Sequence, residues 1–220
     1  MEGGFPTDHN AAMGKVIFLM NVSLDGYVET PDHSLDWTIT DDELHTWFNE
    51  RLRSTEVSVY GRRLFEVMNA YWPTADSDPT ATGPMLEFGR IWNAKPKVVV
   101  SSSMQEAPPG WRLTSGDPET ILEELQRDFS GDIEIGGPTL AAGFIRRGLV
   151  DEYQLVVHPV ILGGGTPFFP DLERPAGLRL LETRTFSSGA VYLGFAPRTG
   201  RPAAPISAMI AGVQRSADEA

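Results

Sequence analysis

Two adjacent arginines, Arg62 and Arg63, follow a short apolar run that ends at Gly61. The run predicts a β-strand, and the residues after Gly61 predict the start of a helix. A helix start presents free N–H groups and partial positive charge, and arginine adds paired donors that match phosphate oxygens. The pattern favours a phosphate site, and an ion pair of this helix start with Glu66 is the alternative that the residues leave open.

A second strand end has a similar form, because Gly136 and Gly137 follow an apolar run and precede Pro138 and Thr139. Two glycines let a ligand approach the backbone, and proline suits the first position of a helix, where its missing N–H costs nothing. The Thr139 hydroxyl can cap the helix or bond a phosphate. The segment is not the G-x-G-x-x-G fingerprint, and the chain has no Walker loop, so the usual nucleotide signatures are absent.

Serines follow a third apolar run, at residues 98–100, and the first two of them are Ser101 and Ser102. Their hydroxyls can bind phosphate or form a turn. In open α/β sheets, ligands gather at the carboxyl ends of the strands. We therefore expect the three strand ends to lie at one edge of a sheet, where together they predict a site for the anionic groups of a dinucleotide.

The overall composition restricts the classes of protein that could contain such a site. The formal net charge of -12 disfavours binding to nucleic acid. The chain has no cysteine, which excludes disulfides and zinc–thiolate sites, and its four histidines lack the spacing of metal ligands. No apolar run approaches the roughly 20 residues that span a membrane, and residues 1–13 lack the features of a signal peptide. We expect no metal, no membrane contact and a cytoplasmic location.

Apolar runs alternate with helical patterns along the chain, which predicts an α/β fold with crossover helices. Residues 14–196 form the predicted domain, preceded by a flexible extension at 1–13 and followed by a mobile tail at 197–220. The predicted strands are 15–22, 56–60, 97–101, 132–135 and 153–158, with a terminal antiparallel hairpin formed by 178–186 and 190–195. One predicted helix begins at Thr40, and four further helices cover 62–69, 85–93, 117–129 and 138–147.

Six segments occur in a fixed order along residues 14–196. They are 23–26 (SLDG), 61–63 (GRR), the serines after Val100, 136–140 (GGPTL), 148–152 (GLVDE) and 159–169 (PVILGGGTPFF). Their order and spacing resemble the dihydrofolate-reductase-like superfamily. Within it, the chain is most similar to stand-alone relatives of the reductase domain of the bifunctional riboflavin-biosynthesis deaminase-reductase.

The resemblance implies a dihydrofolate-reductase-like three-layer sandwich, with a mixed, mainly parallel central sheet and a C-terminal antiparallel hairpin. It also implies NADPH as the hydride donor, a small-molecule substrate and a homodimer. In this family the cofactor supplies the chemistry, and the protein positions the cofactor and the substrate.

Carried over residue by residue, the resemblance assigns the contacts of NADPH. Arg62 and Arg63, after Gly61, would hold the adenosine 2′-phosphate or the pyrophosphate, and Ser101 and Ser102 would help at the 2′-phosphate. The loop that contains Asp25 and Gly26 would close over the nicotinamide and the substrate. The pyrophosphate would lie against a cradle formed by Gly136, Gly137, Pro138, Thr139 and Leu140.

Folate reductases carry a carboxylate on the first helix that anchors the substrate ring and assists its protonation. Counting from Trp37 leads to Asp42, alignment on Trp47 leads to Leu44, and helical periodicity places Asp41 nearer the apolar face. Acids in a first turn are also expected from the helix dipole alone. Asp42 and Asp25 are the candidate catalytic residues.

Two further positions bear on the substrate. The riboflavin reductases usually have a lysine four residues before the serine of the Ser-Leu-Asp-Gly segment, and this chain has Leu19 there. His158 ends a predicted strand near the expected cleft, where it either caps the strand or contacts the substrate.

These observations predict an NADPH-dependent reductase of a small pyrimidine-like, pterin-like or carbonyl substrate, resembling 5-amino-6-(5-phosphoribosylamino)uracil reductase. The alternatives are a non-catalytic nucleotide-binding or dimerisation module of the same fold, and a dihydrofolate reductase proper.

Overall fold

The computed structural model describes residues 13–198, which form an α/β domain. The strands are β1 (Val16–Ser23), β2 (Tyr27–Glu29), β3 (Val57–Gly61), β4 (Lys97–Val100), β5 (Trp111–Thr114), β6 (Ile133–Gly136), β7 (Glu152–His158), β8 (Thr166–Pro167), β9 (Leu178–Thr185) and β10 (Val191–Pro197). The helices are α1 (Asp42–Ser54), α2 (Arg62–Tyr71), α3 (Gly83–Ala94), α4 (Pro118–Asp128) and α5 (Pro138–Arg146), and a 3₁₀ helix covers Trp72–Ser77.

Eight of these strands form one sheet in the order β5-β4-β3-β6-β1-β7-β10-β9. The six strands from β5 to β7 are parallel, and β10 pairs antiparallel with both β7 and β9. The two remaining strands, β2 and β8, form a small antiparallel sheet of their own. The predicted mixed, mainly parallel sheet with a C-terminal antiparallel hairpin is confirmed.

Helices cover both faces of the large sheet, which gives the predicted three layers. On one face, Phe18 and Ile135 belong to a buried cluster that includes Leu125 of α4 and Phe144 of α5. On the other face, a second buried cluster connects strand residues with α1, α2 and α3. Its buried members are Leu52, Tyr60, Phe65, Phe88, Trp92 and Val99. Within residues 13–198, no helix combines the length and apolarity needed to cross a membrane.

The start of α1 differs from the prediction. Asp41, not Thr40, is the N-cap, since its side chain accepts a hydrogen bond of 2.8 Å from the Leu44 N–H. Glu43 does not close a capping box; its carboxylate accepts bonds from Ser187 and Arg184 at the far end of the sheet. An aspartate caps a helix as well as a threonine does, so the composition of the segment did not distinguish them.

Three strands were absent from the prediction, because β2 and β8 have three and two residues and β5 is a half-buried edge strand. The last strand, β10, reaches Pro197, one residue beyond the predicted domain end. The predicted extension at 1–13, apart from Met13, and the predicted tail after Arg198 lie outside the described residues.

Candidate functional site

The three strand ends identified from the sequence lie side by side at one edge of the sheet. Strand β3 is parallel to both β4 and β6, with Gly61 opposite Val100 and Tyr60 opposite Gly136. Arg62, Ser101 and Gly137, the residues that follow these strand ends, therefore emerge at the same edge. The expected common edge is confirmed.

The two helices that start at this edge have glycine N-caps. Gly61 precedes α2 and Gly137 precedes α5, and neither start has a side-chain capping bond. By contrast, Asp41 and Asp117 cap α1 and α4 with their carboxylates. The first N–H groups of α2 and α5 are thus left for an external acceptor, which is the arrangement that binds phosphate at helix starts.

The backbone is tightly packed where the two helix starts meet. A Cβ atom added at Gly136 would lie 2.6 Å from Leu64 Cδ2 and 2.8 Å from Tyr60 Cδ1. Gly137 has a φ of 96°, a conformation that residues with side chains rarely adopt, and a Cβ there would lie 3.7 Å from the Gly61 nitrogen. Glycine at position 136 therefore avoids a clash with Leu64 and Tyr60, and glycine at position 137 lets the chain turn sharply into α5.

Arg63 reaches towards β2 and binds Glu29. Its Nη2 atom donates to both carboxylate oxygens of Glu29, at 2.8 Å each. Because α2 follows β3, β2 follows β1, and β6 lies between β3 and β1 in the sheet, this ion pair spans the carboxyl end of β6.

Glu29 is a junction of three segments and was not identified from the sequence. Besides Arg63, it accepts bonds from Thr166 Oγ1 on β8 and contacts His33 Nδ1 at 3.1 Å. Only 14% of its side chain is exposed, against 47% for Arg63. No local pattern marks Glu29, since Arg63 and Thr166 are brought to it only by the tertiary fold.

The predicted ligands of the 2′-phosphate have their own contacts. Arg62 lies 3.7 Å from Glu66 one turn along α2, and both side chains are at least half exposed, so this pair is weak. Ser101 Oγ accepts from the N–H groups of Ser103 and Met104, which shapes the turn after β4, and Ser102 is exposed. An exposed arginine beside a hydroxyl-rich turn remains open to an anion.

Asp25 fastens the loop after β1 to the loop after β7. Its carboxylate accepts bonds from Ser23 Oγ and from the N–H groups of Leu162 and Gly163, at 2.7 to 3.0 Å. Burial would raise the pKa of Asp25, but the bonds from Leu162, Ser23 and Gly163 outweigh it and hold the pKa below its usual value. The geometry gives Asp25 a structural task, and a catalytic role for it stays a prediction.

The candidate acids on α1 are separated by their surroundings. Asp41 is engaged as the N-cap, Asp42 is exposed in the first turn, and Leu44 is fully buried. Asp42 as the catalytic carboxylate stays a prediction.

His158 is a fully buried residue at the end of β7, not a free strand cap. The backbone N–H of Ile39 donates to its Nδ1 at 3.3 Å, and its Nε2 lies 2.9 Å from Asn21 Oδ1. Burial lowers the pKa of His158, so the ring is neutral at neutral pH. Asn21 was not singled out from the sequence, although an amide within the apolar run 15–22 (KVIFLMNV) is a visible signal.

Comparison with known proteins identifies a family that the chain matches. Residues 14–192 match the RibD C-terminal domain family. The chain is 33% identical to the protein YyaP of Bacillus subtilis (strain 168) over 189 residues, which cover 84% of this chain and 96% of YyaP.

Two solved structures share the fold. One is a putative riboflavin biosynthesis protein from Shewanella sp. PV-4, with a TM-score of 0.67 and 22% identity over 84% of this chain and 99% of that one. The other is the dihydrofolate reductase of Enterococcus faecalis complexed with NADP(H), with a TM-score of 0.58 and 16% identity over 84% of this chain and 98% of that one.

Proposed function

This chain belongs to the RibD C-terminal domain family, and from that membership we propose that it is an NADPH-dependent reductase of a small heterocyclic or carbonyl substrate. One observation carries the proposal: two helix starts with glycine caps and unpaired N–H groups meet at one edge of a parallel sheet, beside two arginines. The structure of a dihydrofolate reductase with the same fold was solved with NADP(H), which supports the same class of cofactor here.

The residues at the edge fit the anionic groups of NADPH. The N–H groups at the starts of α2 and α5 would bind the pyrophosphate, since the glycine N-caps provide no side-chain acceptor for them. Arg62, with Ser101 and Ser102, would bind the 2′-phosphate, because guanidinium and hydroxyl groups are suited to phosphate oxygens. When bound, NADPH supplies the hydride, and the side chains described here hold and orient it.

The other residues in this proposal control the geometry of the cleft. Asp25 fixes the loop at Leu162 and Gly163, and the Arg63–Glu29 pair holds β2 against the start of α2. Both contacts limit the freedom of the segments that would surround the nicotinamide and the substrate. A reductase of this kind gains rate mainly by holding its two reactants in a productive arrangement.

The substrate would be a pyrimidine-like, pterin-like or simple carbonyl compound. The riboflavin reductases offer 5-amino-6-(5-phosphoribosylamino)uracil as the nearest example. Leu19 replaces their usual lysine and is packed against the apolar cluster that contains Leu44 and Trp47. That environment favours a substrate without a charged group at this point of the cleft.

Tryptophan fluorescence during titration with NADPH tests the proposal, with NADH as the control. We expect micromolar binding of NADPH and binding of NADH that is weaker by about tenfold, because NADH lacks the 2′-phosphate. Binding of NADPH no tighter than millimolar would reject the proposal. NADPH binding with no turnover across folates, pyrimidine intermediates and simple carbonyls would favour the non-catalytic alternative.

A further inference from the structure

Asn21 occupies a position on β1 where the sheet is open on one side. Phe18 pairs with Ile135, and β6 ends one residue later at Gly136, so Asn21 extends beyond the end of β6. On its other side, β1 continues to pair with β7 as far as Ser23 and His158. Asn21 thus lies at the carboxyl edge of the sheet beside the Gly136–Gly137 turn, in the region where ligands of such sheets gather.

The hydrogen bonds of His158 determine which way the Asn21 amide faces. The Ile39 N–H can only donate, so His158 Nδ1 must accept, and the ring proton must therefore be on Nε2. That proton is donated to Asn21 Oδ1 at 2.9 Å. The oxygen of Asn21 consequently faces His158, and its NH₂ group faces the other way.

The NH₂ group of Asn21 is left with both of its N–H bonds to offer. Among residues 13–198, no side chain or carbonyl accepts from Asn21 Nδ2, and Asn21 itself is half-buried. Asn21 Nδ2 is also accessible to solvent, because it is not among the buried polar side-chain atoms of this part of the chain that have no hydrogen-bond partner. Those atoms are His45 Nδ1, Asn49 Oδ1, Ser58 Oγ and Trp92 Nε1. An amide with only a structural task usually satisfies both of its ends.

Apolar and aromatic groups lie near Asn21. Leu19, two residues earlier on β1, packs against the apolar cluster that contains Leu44 and Val156. The ring of Trp37 meets the His158 ring edge-on, at 5.5 Å between centroids. A ligand bound beside Asn21 would contact apolar side chains and one amide donor. This environment suits a neutral planar molecule with a carbonyl oxygen or ring nitrogen.

We propose that Asn21 is a substrate-binding residue that donates from Nδ2 to a carbonyl oxygen or ring nitrogen of a neutral, planar substrate, and that His158 is the positioning residue that orients it. This inference rests on the proposed reductase function and narrows its substrate to the lactam and carbonyl class. The pair Ile39–His158 ties the segment before α1 to β7, so the orientation of the amide is built into the fold.

Nuclear magnetic resonance of the ¹⁵N-labelled protein saturated with NADP⁺ tests the proposal directly. The probes are uracil, lumazine (a pteridine dione) and 2-cyclohexenone, which present lactam or ketone acceptors without charge. The side-chain amide signals of Asn21 are identified by their loss in Asn21→Leu. We expect at least one probe to shift these signals while those of the surface residue Asn93 stay unchanged. We also expect the affinity of Asn21→Leu for that probe to be about tenfold lower than that of the wild type.

Substitutions of His158 separate positioning from mere support of the fold. His158→Gln keeps a donor towards Asn21 and should retain the probe-induced shift, whereas His158→Leu removes the donor and should lose it. Both variants are first checked for unchanged NADPH affinity.

The outcomes of this experiment are distinct. A protein that binds NADPH but whose Asn21 amide responds to none of the three probes overturns the inference and leaves the proposed function intact. A protein that does not bind NADPH rejects the proposed function itself. Equal probe binding by wild type and Asn21→Leu also overturns the inference.

Discussion

Arg63 and Glu29 form a two-point ion pair, both contacts 2.8 Å long, that connects the first turn of α2 to the strand that follows β1. The guanidinium that the sequence assigns to a phosphate is thus held by a carboxylate of the same chain. A cofactor phosphate and Glu29 cannot both take the same N–H donors of Arg63, so the two anions should compete.

This competition predicts that Glu29→Gln binds NADPH more tightly than the wild type. The change removes the negative charge but keeps an acceptor for Thr166, and we expect a gain of about fivefold, or about 1 kcal/mol, at low salt. Fluorescence titration measures it, with Glu123→Gln at an exposed position on α4 as the matched control. Weaker binding by Glu29→Gln would mean instead that Glu29 positions Arg63 for the cofactor.

Arg62 is expected to distinguish NADPH from NADH. Arg62→Ala should lower the affinity for NADPH by about tenfold and leave the affinity for NADH nearly unchanged, because the two cofactors differ only in the 2′-phosphate. Arg127→Ala, at an exposed position in the last turn of α4, is the control. An equal loss for both cofactors would assign Arg62 to the pyrophosphate.

Gly137→Ala should impair both the fold and the cofactor site. A side chain at a φ of 96° costs about 1–2 kcal/mol of the free energy of unfolding, and the added methyl group would lie against Leu64 and Gly61 at the start of α2. We expect NADPH affinity to fall by about tenfold or more. Gly83→Ala is the control, since a Cβ there meets nothing within 4 Å. Urea unfolding and NADPH titration measure the two effects, and wild-type affinity in Gly137→Ala would contradict the proposed cradle.

The raised pKa of the buried Glu134 should make the stability of the fold depend on pH. Burial raises the pKa of this carboxyl from 4.5 to about 7, although the charge of Lys95 partly offsets the effect. The folded state therefore holds the proton more tightly than the unfolded state. The associated stability is present in full below pH 4.5 and is lost as the pH rises through about 7.

Glu134→Gln cannot ionise and should escape this loss. Relative to the wild type, we expect the variant to gain roughly 1–3 kcal/mol of unfolding free energy between pH 5 and pH 8. Urea titrations at the two pH values measure the difference, with the exposed Glu123→Gln as control. A variant whose stability relative to the wild type does not change with pH would show that Glu134 stays ionised in the fold.

Much of the sheet was predictable because strands buried on both faces have continuous apolar sequences. The segments now seen as β1, β3, β4, β6 and β7 carried that signal, and the turn at residues 187–189 marked the hairpin. Strand β5 carried no such signal, since Trp111–Thr114 is a half-buried edge strand that contains Arg112. Edge strands need little apolar character, so their sequences resemble loops.

The candidate site was predictable only where a local backbone feature, glycine between a strand and a helix, marks it in the sequence. Glycine after a strand and before a helix is a local feature, which is why Gly61 and Gly137 were identified. The pairing of Arg63 with Glu29 depends on the strand order and on the exit angle of the loop after β1, neither of which is a local property. The catalytic role of Asp42, the homodimer and the cytoplasmic location stay predictions.

The position of β1 in the middle of the sheet has a consequence for how the chain is made. This apolar strand is synthesised early, yet its neighbours β6 and β7 come more than a hundred residues later, as in the pairing of Ile17 with Glu152. During translation β1 remains unpaired until β6 and β7 have been synthesised. Such delayed long-range pairing slows folding and exposes the nascent strand to aggregation.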